Sequence, residues 1–445
     1  MKYYSTNNKN KTYSFKEAFI KGLADDNGLF VPETVPQLPA DFFAKIDTLT
    51  LPQIAVEVLT PFVSEDLTAA EIKSICEATF TFEIPVVNVQ SNIYSFELFH
   101  GPTAAFKDVG ARFLANCFAV LGDKQKKSLL LVATSGDTGS AVANAFFGIK
   151  NVDAVILYPH NKVSPMQEKQ FASLGENISA FAVDGTFDDC QRLVKQAFLD
   201  DDLKKVVSLS SANSINIARW LPQSVYYFYA YAQLKKQFGN ALKPIVMSVP
   251  TGNLGNLSAG LLAKKMGLPI SYFICATNNN NTIPEYLKTS KFTPKPSVQT
   301  ISNAMDVGNP SNHPRMLYLY NNSYDAITKD VTGIYYDDTL TKDALIYVNN
   351  EKNYLMDPHG TVGYLALKGI LSENEIGVFL ETAHPAKFAE VVEPLIKKPV
   401  ALPESLKKFE NRTVNSQRVS NDYEAFKKKL VAEYVTTAQS LLIKT

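Results

Sequence analysis

Seven short apolar runs, at residues 128–133, 152–158, 178–183, 206–209, 245–249, 270–276 and 376–380, constrain the fold of this chain more than any other feature. Each has the length and the Val, Ile and Leu content of a strand buried on both faces. Between them lie segments with helical spacing, such as 165–174 and 187–198; the latter puts Phe187, Cys190, Leu193, Val194, Ala197 and Phe198 on one face. Strands separated by helices cannot be joined as hairpins, so they pair in parallel through right-handed crossovers. The predicted fold class is α/β, with parallel or mixed sheets flanked by helices.

The remaining stretches are less regular. Residues 1–95 read as a mostly helical N-terminal region, in which Ser14 opens a capping box with Glu17 and Asp47, Ser64 and Thr68 are candidate caps. Residues 277–335, rich in Asn, Pro, Ser and Thr, read as a long surface insertion, and residues 400–445 as a charged, helical tail. Composition narrows the function. Lys plus Arg and Asp plus Glu both total 44, which leaves no basic block for nucleic acid and points to a small-molecule partner. Four scattered cysteines form no CxxC pair or Cys/His cluster, so no metal site is expected and the thiols suit a reducing compartment. No run approaches the ~18 apolar residues of a membrane span, and the N-terminus has no apolar signal core. A cytoplasmic protein, monomeric or homodimeric, is expected.

The stretch that carries chemistry is residues 96–113, Phe-Glu-Leu-Phe-His-Gly-Pro-Thr-Ala-Ala-Phe-Lys-Asp-Val-Gly-Ala-Arg-Phe. Lys107 stands where a Gly-Pro turn gives way to a helical stripe of Phe106, Val109, Phe113 and Leu114. A lysine in a first turn meets the positive end of the helix dipole, and phenylalanines beside it remove water. Both effects lower its pKa, and a partly neutral amine can form a Schiff base with a carbonyl, as a pyridoxal-phosphate enzyme requires. The competing reading is a surface lysine paired with Asp108.

Four strand-to-helix loops have compositions suited to ligands, which in α/β proteins gather at the C-terminal ends of strands. Residues 250–260 include Gly252, Asn253, Leu254, Gly255 and Asn256, whose backbone amides would cradle a phosphate at a helix N-terminus. The loop lacks the Gly-Lys-Ser/Thr ending of a nucleotide P-loop and the Gly-x-Gly-x-x-Gly of a dinucleotide site. In residues 134–140, Ser135, Thr138 and Ser140 offer hydroxyls to a carboxylate and Asp137 could face a phenol or a pyridinium, although helix capping uses the same residue types. Asn213, Ser214, Asn216 and Arg219 suit a dianionic phosphate. Thr382 is a neutral hydroxyl that could bond a pyridine nitrogen. His100 and His359 show no triad or metal spacing and are supporting candidates only.

In order along the chain, these pieces resemble the threonine synthase family of fold-type-II pyridoxal-phosphate enzymes. The resemblance rests on Gly-Leu-Ala-Asp-Asp-Asn-Gly-Leu-Phe-Val-Pro from residue 22, His-Gly-Pro-Thr-Ala-Ala-Phe-Lys-Asp from 100, and Ala-Thr-Ser-Gly-Asp-Thr-Gly-Ser-Ala from 133. It continues through Leu-Tyr-Pro-His-Asn-Lys-Val-Ser-Pro-Met-Gln from 157, Phe-Asp-Asp-Cys-Gln from 187, Asn-Ser-Ile-Asn-Ile-Ala-Arg from 213, Gly-Asn-Leu-Gly-Asn from 252 and Glu-Thr-Ala-His-Pro from 381. The resemblance implies a tryptophan synthase beta-like fold. A smaller mobile unit at 96–205 would carry the Schiff-base lysine Lys107 and the substrate-carboxylate loop, and a larger cofactor-binding unit would span 206–445. It also implies pyridoxal 5'-phosphate held by Lys107, residues 252–256 and Thr382, and substrate held by Ser135, Asp137, Thr138, Ser140, Asn213, Ser214, Asn216 and Arg219. The implied reaction converts O-phospho-L-homoserine and water to L-threonine and phosphate. The alternatives are a serine or threonine dehydratase and a non-catalytic binder of a phosphorylated metabolite. Leu254, where many relatives carry phenylalanine, and Asp-Pro-His-Gly-Thr at 357–361, where Asp-Pro-His-Thr-Ala is commoner, depart from the pattern without removing a reacting group.

Overall fold

In the computed structural model, which describes residues 1–123 and 127–435, three sheets organise the chain. The first is N-terminal and antiparallel: β1 (Tyr3–Ser5) lies between β2 (Asn8–Tyr13) and β3 (Phe30–Pro32). Residues 1–95 are therefore not simply helical. Helices Phe15–Lys21, Ala40–Lys45, Leu51–Val63 and Ala69–Thr79 form, but the polar run Asn-Lys-Asn-Lys-Thr is an exposed strand with no apolar alternation to reveal it. Ser14 and Thr68 make capping boxes with Glu17 and Glu71. Asp47 instead lies inside a short 3₁₀ turn, Thr50 caps Leu51–Val63 with Gln53, and Ser64 closes the C-terminal end of that helix.

The remaining strands are β4 (Val86–Gln90), β5 (Ile93–Glu97), β6 (Ser128–Ala133), β7 (Val152–Pro159), β8 (Ile178–Asp184), β9 (Ser208–Ser211), β10 (Ile245–Pro250), β11 (Tyr272–Thr277), β12 (Val331–Tyr335), β13 (Ile376–Glu381) and β14 (Gln417–Ser420). They form a six-stranded sheet in the order β12-β11-β10-β13-β5-β4 and a five-stranded sheet in the order β14-β8-β7-β6-β9. Every pair is parallel except β4 with β5. The α/β class with mixed and parallel sheets is the observed one. Each apolar run lies in a parallel strand, but the fourth is displaced to Ser208–Ser211. Asp200 accepts from the amides of Asp202 and Leu203 and starts a helix that absorbs residues up to Val206.

Two other expectations are corrected. Residues 277–335 are not a surface insertion: they supply helices Thr282–Thr289, His313–Leu319 and Tyr324–Asp330 and the edge strand β12. Their asparagines are used internally, since the buried Asn278 donates to Thr300 at 2.8 Å and to Asp306 at 2.9 Å. The charged tail is not wholly helical either. β14 adds in parallel to β8, with Arg418 paired to Asp184 at 2.6 Å, and only then does the helix Tyr423–Tyr434 follow. Residues 436–445 of the predicted tail lie outside the described residues. The five-stranded sheet thus takes β9 and β14 from beyond residue 205, and the six-stranded sheet takes β4 and β5, which lie before or across residue 96. Among the described residues no helix is long and apolar enough to cross a membrane.

The helix Lys107–Leu121 buries Val109, Phe113 and Leu114 in a core shared by the N-terminal region and both large sheets, with Phe106 packed at its edge. Within the same core His313 stacks on Phe292, with ring centroids 4.0 Å apart, and burial pulls its pKa down to about 4. Between the unfolded value of about 6.5 and the folded value, the unfolded chain binds more protons, so stability is lost as pH falls through that window. We expect His313→Phe to reduce the loss of urea resistance between pH 7 and pH 5; an unchanged pH dependence would contradict this origin.

Candidate active site

The loops after β6, β9, β10 and β13 open onto one cavity of about 510 Å³, together with Phe106 and Lys107. Four of the sequence-predicted stretches are therefore one site, and the lysine stretch is its floor. The chain holds that floor in place through its backbone. Leu98 N donates to Glu381 O at 3.0 Å, Phe106 N to Thr382 O at 2.9 Å, and His384 N to Ala104 O at 3.0 Å. Asp108 belongs to this loop and does not pair with Lys107, because its carboxylate accepts from Thr103 N at 2.9 Å and Thr103 Oγ1 at 2.6 Å.

Lys107 is the first residue of its helix, and its side chain is 17% exposed. Its Nζ lies 3.9 Å from Asp137 Oδ2. Burial pushes the pKa of the amine down, and although Asp137 opposes this, the cations Lys387 and Arg219 reinforce it. Burial also disfavours charge on Asp137, yet Lys387 and Lys107 hold its carboxyl well below the usual carboxylate range.

The loop after β10 has the chemistry of an anion cradle. Among the described residues, none of the five backbone amides from Gly252 to Asn256 finds an acceptor in the chain, and the helix Gly255–Lys265 begins there. Its shape is braced by Thr251 Oγ1 donating to Asn256 Oδ1 at 2.7 Å, and by Asn256 Nδ2 donating to Pro250 O at 2.9 Å. Asn253 Nδ2 reaches across to Ser214 Oγ at 2.8 Å. Gly252 is required by close approach, since a Cβ there would lie 2.8 Å from Met305 Cα. Leu254 adopts φ +59° and packs its side chain into the core, so only its backbone serves the loop.

Ser135, Asp137 and Thr138 line the cavity, as do Asn213, Ser214, Arg219 and Thr382. Of the residues predicted for the substrate, two do not. Ser140 Oγ donates to Gly136 O at 3.2 Å within its own helix. Asn216 caps the helix Ile217–Trp220 by accepting from Ala218 N at 3.0 Å, while its Nδ2 donates to Phe19 O and Ser211 O. Both are drawn to nearby backbone, as short polar side chains next to helix ends commonly are. His100 pairs with Glu97 at 2.7 Å, outside the cavity, whereas His359 lines it.

Several lining or supporting residues carried no signal in the sequence. Arg219 Nη1 donates to Ala212 O, but among the described residues its buried Nε has no partner, and neither does Oδ1 of Asn213 or Oε1 of the unpredicted Gln223. All three residues line the cavity, while these particular atoms are enclosed by the protein, Arg219 Nε against Gly110. Burial lowers the pKa of the Arg219 guanidinium to about 10. Lys387, which reaches Asp137 from the loop after β13, is also new. So is Asp357, which takes Nδ1 of His359 while Nε2 of the ring accepts from Ala304 N at 3.1 Å. Because Nε2 is an acceptor, Nδ1 carries the proton. Thr6, Asn7 and Asn27 bring the N-terminal sheet to the rim. Below the site, burial and the neighbouring Asp357 push the Glu381 carboxyl well up, and a Cβ on Gly360 would fall 1.5 Å from its Oε2. Gly360→Ala is expected to cost on the order of 3 kcal/mol of stability through overpacking, read as a lowered urea midpoint; a wild-type midpoint would show that the Glu381 side chain can move aside.

Comparison with known proteins agrees with this geometry along the whole chain. The family described as "Threonine synthase N terminus" matches residues 2–80, "Pyridoxal-phosphate dependent enzyme" matches 86–381, and "Threonine synthase, C-terminal" matches 361–430. The chain is 45% identical to a threonine synthase of Haemophilus influenzae over 424 residues, covering 95% of this chain and 98% of the relative. Its fold superposes on the crystal structure of threonine synthase from Escherichia coli with a TM-score of 0.91 at 42% identity, covering 97% of this chain and all of that one. It also superposes on a threonine synthase from Brucella melitensis described as bound to pyridoxal phosphate, with a TM-score of 0.88 at 33% identity over 97% of this chain and 98% of that one. On its sequence, its fold and its site, the chain belongs to the threonine synthase family of pyridoxal-phosphate-dependent enzymes.

Proposed function

We propose that this chain converts O-phospho-L-homoserine and water to L-threonine and phosphate, with Lys107 as the lysine that carries pyridoxal phosphate. The observation that bears most on this reading is that one cavity holds two anion-binding walls around a buried amine: the free amides of residues 252–256 on one side, and Arg219 with Asn213 and Ser214 on the other. A cofactor phosphate and a substrate phosphate need two such walls. The residues present fit the cofactor: the amides from Gly252 to Asn256 would hold its phosphate, the Thr382 hydroxyl would meet its ring nitrogen and Lys107 would take its aldehyde.

Bound there, pyridoxal phosphate supplies an electron sink for negative charge developed at the substrate's Cα. A neutral hydroxyl at Thr382 leaves the ring nitrogen uncharged, which suits elimination better than an acidic partner would. Ser135 and Thr138 hold the substrate carboxylate. Arg219, Asn213 and Ser214 hold the phosphate while it is an ester and accept it as it leaves Cγ. The buried Lys107 amine moves the protons, taking one from Cα and a second from Cβ as phosphate leaves Cγ. It returns one at Cγ and, once water has added its hydroxyl at Cβ, the other at Cα, while the water's remaining proton balances the released phosphate. Leu23, Leu29, Phe187 and Phe198 bound the cavity with apolar surface and limit access of bulk water. We assign closure over the substrate to the smaller unit at 96–205. We place the reaction in the cytoplasm, where the four free, buried cysteines would remain reduced.

The test is phosphate release measured together with threonine formation from O-phosphohomoserine, using the purified chain loaded with pyridoxal phosphate. Equal amounts of both products are expected. Ammonia release from serine or threonine, with neither product formed from the phosphoester, would replace this reading with a dehydratase.

A further inference from the structure

Lys387 is a second lysine, buried behind the cavity-lining Asp137, and none of its side chain is exposed. Its Nζ donates to Asp137 Oδ1 at 2.8 Å and to Thr103 O at 2.8 Å. Its own carbonyl accepts from Ser164 Oγ at 3.1 Å, so it joins the lysine loop, the carboxylate loop and the start of helix Pro165–Ala172. Asp137 is thereby divided between two tasks. Oδ1 takes Lys387 and, at 2.9 Å, Gln167 Nε2; Oδ2 faces Lys107 from 3.9 Å, beyond hydrogen-bond reach. A buried ammonium is costly unless paired, and a buried carboxylate with no other cation would draw Lys107 into an ion pair.

We propose that Lys387 is a positioning residue: it holds Asp137 through Oδ1 and so keeps that carboxylate from capturing Lys107, leaving the Lys107 amine free to react. The charged groups around the pair agree with this role. Lys107 faces Asp137, Lys387, Arg219 and Asp357, while Lys387 also acts on Asp108 and His384. Of these, Lys387 is the cation that touches Asp137 directly, and its charge helps to depress the pKa of Lys107. With Lys387 removed, the nearest cation left to Asp137 is Lys107 itself.

The proposal rests on the assignment of Lys107 as the cofactor lysine. Borohydride trapping followed by peptide mapping checks that assignment separately, since label on Lys387 would overturn the assignment itself. The test is a pH titration of the visible absorbance of the full chain loaded with pyridoxal phosphate. In Lys387→Met the midpoint is expected to rise by about one pH unit, a tenfold change in the protonation equilibrium, whereas Lys387→Arg should restore the wild-type midpoint. Competitive acetylation of Lys107 in the cofactor-free full chain should shift in the same direction. If Lys387→Met does not fold, Asp137→Asn serves instead: Lys387 then faces Lys107 uncompensated, and the midpoint should fall. An unmoved midpoint in whichever folded variant is measured overturns the proposal.

Discussion

Replacing Lys107 by alanine is expected to lower threonine formation on the order of 10⁴-fold or more, because in the proposed mechanism one amine both carries the cofactor and moves the protons. The expected loss is in kcat, and pyridoxal phosphate should still associate through the amides of residues 252–256, but without a covalent adduct that borohydride can trap. The effect should not come from misfolding. Among the described residues, the Lys107 side chain makes no hydrogen bond that orders its loop, which is held by Asp108, Thr103 and backbone bonds to residues 381–384. Substantial turnover by Lys107→Ala, with correct urea resistance, would remove Lys107 from the mechanism.

Arg219→Ala gives the second large effect, and it should divide differently. A charge-assisted bond to a buried phosphate is lost, which corresponds to a fall in kcat/KM of about 10²- to 10³-fold, carried mainly by KM. Cofactor uptake should be nearly unchanged, because the amides proposed to hold its phosphate lie on another loop. Arg219→Lys keeps the charge but not the planar fork, and is expected to recover only part of the loss. An unchanged KM would show that Arg219 does not hold the substrate phosphate.

What was legible in the sequence follows from burial. Strands β6, β7, β8, β10 and β13 are buried along most of their lengths in parallel sheets, so they appear as unbroken apolar runs. Strands β2 and β14 lie at edges with polar, exposed residues, and nothing in Asn-Lys-Asn-Lys-Thr or Gln-Arg-Val-Ser signals pairing. Residues 277–335 misled for the opposite reason, because Asn278 and Asn280 look like loop residues but are buried donors. In the site, turn glycines next to hydroxyls marked loops that the fold brings to one cavity. Which hydroxyl or amide points inward depends on local backbone competition, and so Ser140 and Asn216 turned away. Lys387 and Gln223 could not be singled out at all, since their roles arise from neighbours remote in the chain.

The lacing of the lysine loop to the strand after which Thr382 stands has a consequence for how the protein comes into being. Lys387 reaches Thr103 O across 284 residues, and the backbone bonds of Ala104 and Phe106 to the same loop close a comparably long circuit. Such contacts are among the last to form, because the loop they close is long. On the ribosome, a chain that has displayed Lys107 and even the amide cradle still lacks the ledge that seats the lysine loop until the segment 381–388 emerges. Cofactor capture therefore marks completion of the fold, and the rate at which pyridoxal phosphate is taken up on refolding reads out the docking of the C-terminal third of the chain onto the first.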